Sequence, residues 1–537
     1  MFHNPSNTYP YPSRRTATYA KNGMVSTTQS QAAQAGLAVL QRGGNAVDAA
    51  IATAAALTVV EPTSNGIGGD AFALVWMKGE LHGLNASGPS PKALNAERVK
   101  ALGHNEMPLH GWLPVTIPGC PSAWNLLAKR FGNLPLSDTL SAAIKLAREG
   151  FVVSPTIAAQ WQQAADIDDK EENLTATAHW RSCFLNNGKA PKAGDIVTLA
   201  DHADTLETIA NTDAQAFYRG SIAKKIIEHA SNTGGYLSAE DLASYEAQWV
   251  EPISVNYKGY DIWEIPPNGQ GMLALMALNI LKTLPQEQRE SCDTYHKQIE
   301  AMKLAYVDGQ KYITQEDKMA VKVIDMLSDS YADQRRQLIT DTAMLPKHGK
   351  PVSGGTVYLA TADNEGNMVS FIQSNFHDFG SRVVIPNTGI CLQNRGRSFS
   401  LNPKDANYLE GAKKTLHTII PGFVTKENQA ISAFGVMGGF MQPQGHVQVI
   451  TNMIDFKMNP QSALDAPRWQ WLKEREVAIE HQAPPFIAQG LKNKGHDINI
   501  LADAESFGRG QIIVRDPTTG VLCGGTEPRA DGYIAAF

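Results

Sequence analysis

Four consecutive residues, Ser353-Gly354-Gly355-Thr356, carry the most chemistry that the order of residues alone reveals. They end a Pro/Gly/Ser-rich stretch, 345–355, that reads as an exposed, flexible linker. Thr356 then opens a strand pattern. Were the Gly355–Thr356 bond cut, Thr356 would carry both a hydroxyl and a free α-amine. Such an amine titrates near about 7.7–8.0, so it serves as a general base at neutral pH. The hydroxyl beside it becomes a nucleophile activated by its own chain terminus. Before the cut, the same hydroxyl could attack the carbonyl in front of it, and the glycines permit the strained turn this needs. An ordinary boundary between loop and strand fits the same four residues.

Other candidates are weaker. Gly269-Gln270-Gly271-Met272-Leu273-Ala274 has the form of a dinucleotide fingerprint, but a polar loop follows instead of a second strand with an acidic residue. It reads as a helix-start loop that lines a pocket or turns a corner. Residues 66–70, Gly-Ile-Gly-Gly-Asp, suit either an anion-binding nest or a turn that a Cβ would block. His110, His377, His417 and His446 are isolated and read as surface or core histidines. There is no Walker A loop, H-E-x-x-H, EF-hand loop or G-x-S-x-G elbow.

These residues need elements to hold them. Apolar spacing predicts helices over 29–41, 45–60, 136–149, 238–248, 272–281, 295–312 and from 446 to 453. It predicts strands over 71–77, 81–85, 257–265, 357–362, 368–373 and 431–435, with a hairpin turn at 364–367. Residues 1–23 read as a polar, extended arm without the apolar core of an export signal. The chain has 537 residues, a net charge of −6 and 43% hydrophobic residues, a soluble composition that can bury a large core. No Lys/Arg-rich run points to nucleic acid, and the longest apolar stretch, 49–60, is too short to span a bilayer. Five scattered cysteines, an odd number, fit reduced thiols and a cytoplasmic location.

From residue 24 to 537 the chain resembles the gamma-glutamyltransferase family of N-terminal-nucleophile hydrolases. The resemblance is carried by residues 36–72 (GLAVLQRGGNAVDAAIATAAALTVVEPTSNGIGGDAF), by 115–124 and by AIKLAREGF at 143–151. Later it includes Thr356 with Asp363, Gly366 and Asn367, then Phe379-Gly380-Ser381, Met437-Gly438-Gly439, the DAPR run ending at Arg468, and Glu527-Pro528-Arg529. It implies an α+β fold, the αββα four-layer sandwich. It also implies a precursor that cuts itself before Thr356 into a large subunit, 1–355, and a small subunit, 356–537.

By the same resemblance Thr356 is the nucleophile. Ser374 stands where the family has a second Thr that hydrogen-bonds it, and Gly438 and Gly439 match the oxyanion-hole pair. The pocket departs from the family. Ser87 stands at the position of an Arg that holds a substrate carboxylate, and Phe376 stands at that of an Asn. Arg395 and Ser398 replace a Gln and an Asp that bind an amino group, and His417-Thr418 replaces a Ser pair. Losing an acid and gaining Arg395 and Arg397 turns a zwitterion site toward an anion site. The resemblance is nearest the cytoplasmic gamma-glutamyltransferase-like branch, with glutaryl (cephalosporin) acylases and oxamate amidohydrolase close by. The expected activity is amide hydrolysis or acyl transfer on a small acidic acyl amide, γ-glutamyl-like, oxamyl or glutaryl. No metal or organic cofactor is implied, and a homo-oligomer of paired subunits is compatible. The alternative from a different class is an unprocessed, non-catalytic protein that binds a small anion or a partner.

Overall fold

The structure, a computed structural model, describes residues 15–168, 177–346, 355–502 and 505–537. The first 14 residues of the expected arm, and 347–354 of the expected linker, lie outside the described residues.

Two seven-stranded sheets lie at the centre. One runs, in spatial order, Tyr533–Ala536, Gly23–Thr27, Gly355–Asp363, Met368–Phe376, Asp70–Met77, Glu80–Ala86, Gln248–Val250. The other runs Thr18–Ala20, Leu522–Thr526, Arg509–Arg515, Gln429–Met437, Gly422–Lys426, Tyr260–Glu264, Ile253–Tyr257. Each sheet takes strands from both sides of residue 355. The two halves therefore interleave into one body, and the strand headed by Gly355 and Thr356 has neighbours on both edges.

Alternation along the strands makes the layers. Tyr358, Ala360 and Ala362 face the second sheet, where they meet Phe423, Ala433, Met437 and Ile513. Their neighbours Val357 and Leu359 face away, into a cluster with the helices. Phe434 and Val436 likewise turn outward, against the helices Gly271–Leu281, Cys292–Tyr312 and Gln442–Ile454. The result is helix, sheet, sheet, helix: the αββα sandwich.

The helix Ala46–Val60 shows why its composition matters. All of its residues are buried, and Asn45 and Asp48 close its first turn as a capping box. Small side chains let it lie flat against the sheet. There Gln373 Nε2 donates to the Ala54 carbonyl (2.7 Å) and to Asn65 Oδ1 (2.6 Å), locking the strand beside Thr356.

Two expected elements differ. The helix expected over 238–248 is only Ala239–Ala243, capped by Ser238, and the chain then joins a sheet edge as Gln248–Val250. Leu242, Tyr245 and Ala247 join one buried cluster, although the helix ends at Ala243. The strand expected over 257–265 is the second arm of a hairpin, Ile253–Tyr257 then Tyr260–Glu264, turned at Lys258-Gly259, both with positive φ. The tail of the N-terminal arm is extended, with Thr18–Ala20 paired to Leu522–Thr526. Among the described residues no helix is long and apolar enough to cross a membrane. All five cysteines are unpaired.

Candidate active site

Thr356 sits at the head of a central strand and is 1% exposed. The pairing with Met368–Phe376 is regular from Ala362 back to Val357, opposite Gln373, and then slips, so that Gly355 faces Phe376. One extra residue is thus accommodated around Ser374 and Asn375, a bulge that re-aims side chains. Thr356 Oγ1 donates to Ser374 Oγ at 3.2 Å, and the Phe376 N–H donates to the same oxygen at 2.8 Å. Phe376 leaves the strand with φ +80°, a backbone state that a bulky side chain rarely adopts.

From Phe376 the contacts continue. Its ring lies under the Arg395 guanidinium, 4.0 Å from carbon to centroid. Arg395 Nη1 donates to Thr418 Oγ1 at 2.7 Å. Gln270 Nε2 donates to the carbonyls of Thr418 (2.7 Å) and Gly439 (2.9 Å). Gly438 and Gly439 turn the chain out of the strand Gln429–Met437 with φ of +133° and +58°. At Gly438 a Cβ would stand 3.1 Å from the Gly508 backbone. So Thr356, Ser374, Phe376, Arg395, Thr418, Gln270 and Gly439 form one unbroken contact chain, although they span 170 positions of sequence (439 − 270 + 1).

The electrostatics centre on Arg395, 1% exposed, whose Nε and Nη2 find no hydrogen-bond partner among the described residues. Burial pulls its pKa down to about 9, opposed by the charge of Asp70. Asp70 is fully buried and lies directly across the ladder from Ser374. Burial pushes its carboxyl up to about 7, opposed first by Arg395. His417 joins the two. The Ile419 N–H donates to its Nδ1 (3.3 Å), so Nε2 carries the proton and donates to Asp70 Oδ2 at 2.9 Å. Burial, then Arg395 and Lys414, hold the imidazole well below its ordinary pKa, and it stays neutral. Lys414 is pulled down to about 8 by burial, opposed by Asp70.

The remaining expected residues fall as follows. Ser87 lies just past Glu80–Ala86 and donates to Asn85 Oδ1 at 2.7 Å. Asn85 donates to Asn268 Oδ1 (3.0 Å), and the Asn268 carbonyl accepts from the His417 N–H (2.8 Å). Ser398 ends the short turn begun by Arg395, and its carbonyl accepts from Asn407. No hydrogen bond ties its side chain to the cluster among the described residues. His446 is a core histidine, bonded to Glu264.

Asp70 brings to the pocket an acidic side chain that none of Ser87, Phe376, Arg395 and Ser398 supplies. Its signal was present as the last residue of the 66–70 loop. The glycines of that loop are accounted for by packing: a Cβ at Gly68 would stand 2.3 Å from the Cys391 carbonyl, and one at Gly69 2.8 Å from that of Ser374. Gln270, inside the false nucleotide fingerprint, was also missed. Its helix starts against Glu264, where Gly271 leaves no room for a Cβ.

One group with metal-ligand character occurs among the described residues, His296, Glu300 and His496. Its donors are already engaged: His296 with His496 (2.8 Å) and Glu300 with Lys303 (2.7 Å).

Two stacked sheets sheathed by helices, with Thr356 heading a central strand, define the fold of the N-terminal-nucleophile hydrolases. Solved structures agree. Cephalosporin acylase from Bacillus halodurans superposes with a TM-score of 0.97 at 57% identity, covering 100% of this chain and 99% of that one. The glutathione hydrolase-like YwrD proenzyme of Bacillus subtilis is 36% identical over 519 residues, 95% of this chain and 97% of the relative. The oxamate amidohydrolase proenzyme of Klebsiella pneumoniae is 31% identical over 530 residues, 96% and 98% of the two. The gamma-glutamyltranspeptidase family model matches residues 32–537, and the chain belongs to that family. It is an enzyme of the N-terminal-nucleophile amidohydrolase kind.

Proposed function

We propose that the chain is a precursor that cuts itself between Gly355 and Thr356, and that Thr356 then hydrolyses amides of small acyl groups bearing a carboxylate. The observation that carries this reading is the buried contact chain from Thr356 to Arg395. A nucleophile position and a cation with two idle N–H groups share one site. In the cut form the Thr356 α-amine takes the hydroxyl proton as Oγ1 attacks the amide carbonyl. It returns that proton to the leaving amine, and water then releases the acyl group from Oγ1. Ser374 orients the hydroxyl. The backbone N–H groups of Gly438 and Gly439 take the oxyanion.

Arg395 binds the acyl carboxylate through Nε and Nη2, a bidentate fork. Asp70 tempers this charge without cancelling it. It is engaged by His417, and two cations, Arg395 and Lys414, act on it. The site therefore favours a donor with a carboxylate and no α-amine over a γ-glutamyl donor. The names of the relatives, an acylase, an oxamate amidohydrolase and a glutathione hydrolase-like proenzyme, all fit small acyl amides. Their description as proenzymes supports large and small subunits cut from one chain.

The test is intact mass of the purified protein, followed by hydrolysis of glutaryl, oxamyl and γ-glutamyl amides. Two chains ending at Gly355 and starting at Thr356, with the glutaryl or oxamyl donor preferred, are expected. A single uncut chain without amidase activity would point to the non-catalytic alternative.

A further inference from the structure

Gln270 is fully buried and stands at the N-cap of the helix Gly271–Leu281. Ser, Thr, Asp or Asn suits that position, because a short polar side chain can bond the first turn. Gln270 makes no such bond, so the helix does not account for the amide. Its backbone N–H donates to the His417 carbonyl at 3.0 Å. Its Nε2 donates to the carbonyls of Thr418 (2.7 Å) and Gly439 (2.9 Å). Both side-chain partners are acceptors, so the amide nitrogen and not its oxygen faces them.

Those two carbonyls belong to opposite ends of the acyl site. At one end, Thr418 Oγ1 accepts from Arg395 Nη1 at 2.7 Å. Gln270 is the only donor that reaches the Thr418 carbonyl among the described residues. At the other end, the Gly438 carbonyl accepts from the Met441 N–H at 3.0 Å, which sets the plane of the Gly438–Gly439 peptide. The Gly439 N–H lies in that plane, trans to the carbonyl. Gln270 holds the next carbonyl along, that of Gly439, which also accepts from the Gln442 N–H as the short turn closes. The Tyr306 hydroxyl donates to the Phe440 carbonyl beyond it. One nitrogen thus joins the residue that steadies the Arg395 guanidinium to the residue whose N–H meets the oxyanion.

We propose that Gln270 is a positioning residue that fixes the spacing between Arg395 and the Gly439 N–H, and so selects one length of acyl chain between the carboxylate and the reacting carbonyl. A chain of the right length reaches both ends at once. One a methylene shorter or longer binds Arg395 with its carbonyl out of line with the oxyanion donors, and the loss falls on the transition state. The inference rests on the amidase reading above and adds to it a residue that acts through Thr418 and Gly439.

The experiment keeps the leaving group constant and varies the acyl chain. The mono-p-nitroanilides of the straight-chain dicarboxylic acids from oxalic to adipic are assayed on processed wild type and on Gln270→Met, which has a similar length and no donor. The wild type is expected to peak at one chain length, roughly tenfold in kcat/KM above its neighbours. Gln270→Met should lower kcat at that length about tenfold more than at the neighbouring lengths, with KM little changed, so that the profile flattens. Cleavage into two chains, read by intact mass, serves as the folding check. Gln270→Asn, which keeps the amide but is one methylene short, takes the place of Gln270→Met if the latter stays uncut. A wild-type profile without a peak overturns the inference and leaves the amidase reading standing. So does a variant that keeps the peak while every donor falls by one factor, or whose loss is confined to KM, since Gln270 would then be an ordinary core amide. A wild type that cleaves none of the anilides overturns both.

Discussion

Replacing Arg395 with Met should make the protein more stable and the enzyme much worse. Arg395 is fully buried, with one hydrogen bond, to Thr418, and two nitrogens left over. Burial lowers its pKa from 12.5 to about 9. At about 1.36 kcal/mol per decade this is on the order of 5 kcal/mol working against the charged form in the empty site. Met fills a similar volume without that penalty. Its partner charge does not become a liability, because Asp70 already sits near a pKa of about 7 and rises further once Arg395 is gone. Replacing a buried ion pair as a whole is neutral or stabilising by about 1–4 kcal/mol, and at pH 6 Asp70, with its pKa already about 7, takes up a proton so that both charges leave the site. The substrate carboxylate, in contrast, loses its charged partner, a loss of ~2–5 kcal/mol. At about 1.4 kcal/mol per tenfold, kcat/KM for a glutaryl amide should fall roughly 30- to 4000-fold. Denaturant midpoints on processed protein at pH 6, with kcat/KM for glutaryl and uncharged acyl amides, provide the assay. An Arg395→Met protein that is less stable and hydrolyses the glutaryl amide as well as wild type would refute the argument. Arg395 would then be a structural cation held by Phe376 and Thr418.

Thr356→Ala should remain one full-length chain without activity and Thr356→Ser should still cut, as intact mass will show; fragments from Thr356→Ala would mean that another group cuts the bond. Gly439→Val places a β-branched residue at φ +58° and should lower kcat by ~10²–10³ with little change in KM; a changed KM with normal kcat would put Gly439 in ground-state binding. For an anionic donor, kcat/KM should rise with pH as the Thr356 amine loses its proton near about 7.7–8.0. It should then fall near pH 9 as Arg395 loses its own, so a profile flat from pH 8 to above 10 would remove Arg395 from binding (its pKa is about 9). His202 is buried and its pKa is lowered from 6.5 to about 4, so between those values the unfolded chain binds a proton that the folded chain refuses. Stability should therefore drop as pH falls through that window, by up to about 3 kcal/mol, and urea titrations of His202→Gln should show a flatter slope there.

The order of elements was largely readable. Period-2 alternation marks 357–362 and 368–373, and the structure extends them to Gly355–Asp363 and Met368–Phe376. The alanine run of 45–60 gives a helix buried on every side. The failures share a cause. Both 238–248 and 257–265 change element partway, after Ala243 and at Lys258-Gly259, so no single period fits either stretch. Pairing between strands far apart in sequence leaves no local trace. Nothing near Thr356 says that Asp70, some 286 positions earlier (356 − 70), lies two strands away, directly opposite Ser374.

That distance explains why the pocket could be read only in part. Taken singly, Arg395 is a cation that replaces a neutral side chain, and His417 is a histidine without a visible partner. In the fold they answer each other. A guanidinium removed from water needs a counter-charge, and Asp70 supplies it. A carboxylate at that depth needs a donor, and the neutral His417 supplies it through Nε2. The Asn268 carbonyl and the Ile419 N–H fix the His417 backbone and ring, and Thr418 fixes the guanidinium. Arg395, Asp70 and His417 each set the protonation or the hydrogen bond of another, so exchanging one alters the rest. A change of specificity in this site is therefore a change of the whole set. Exchanging Arg395 for a neutral residue without also altering Asp70 and His417 should remove the anion preference without restoring recognition of an α-amine.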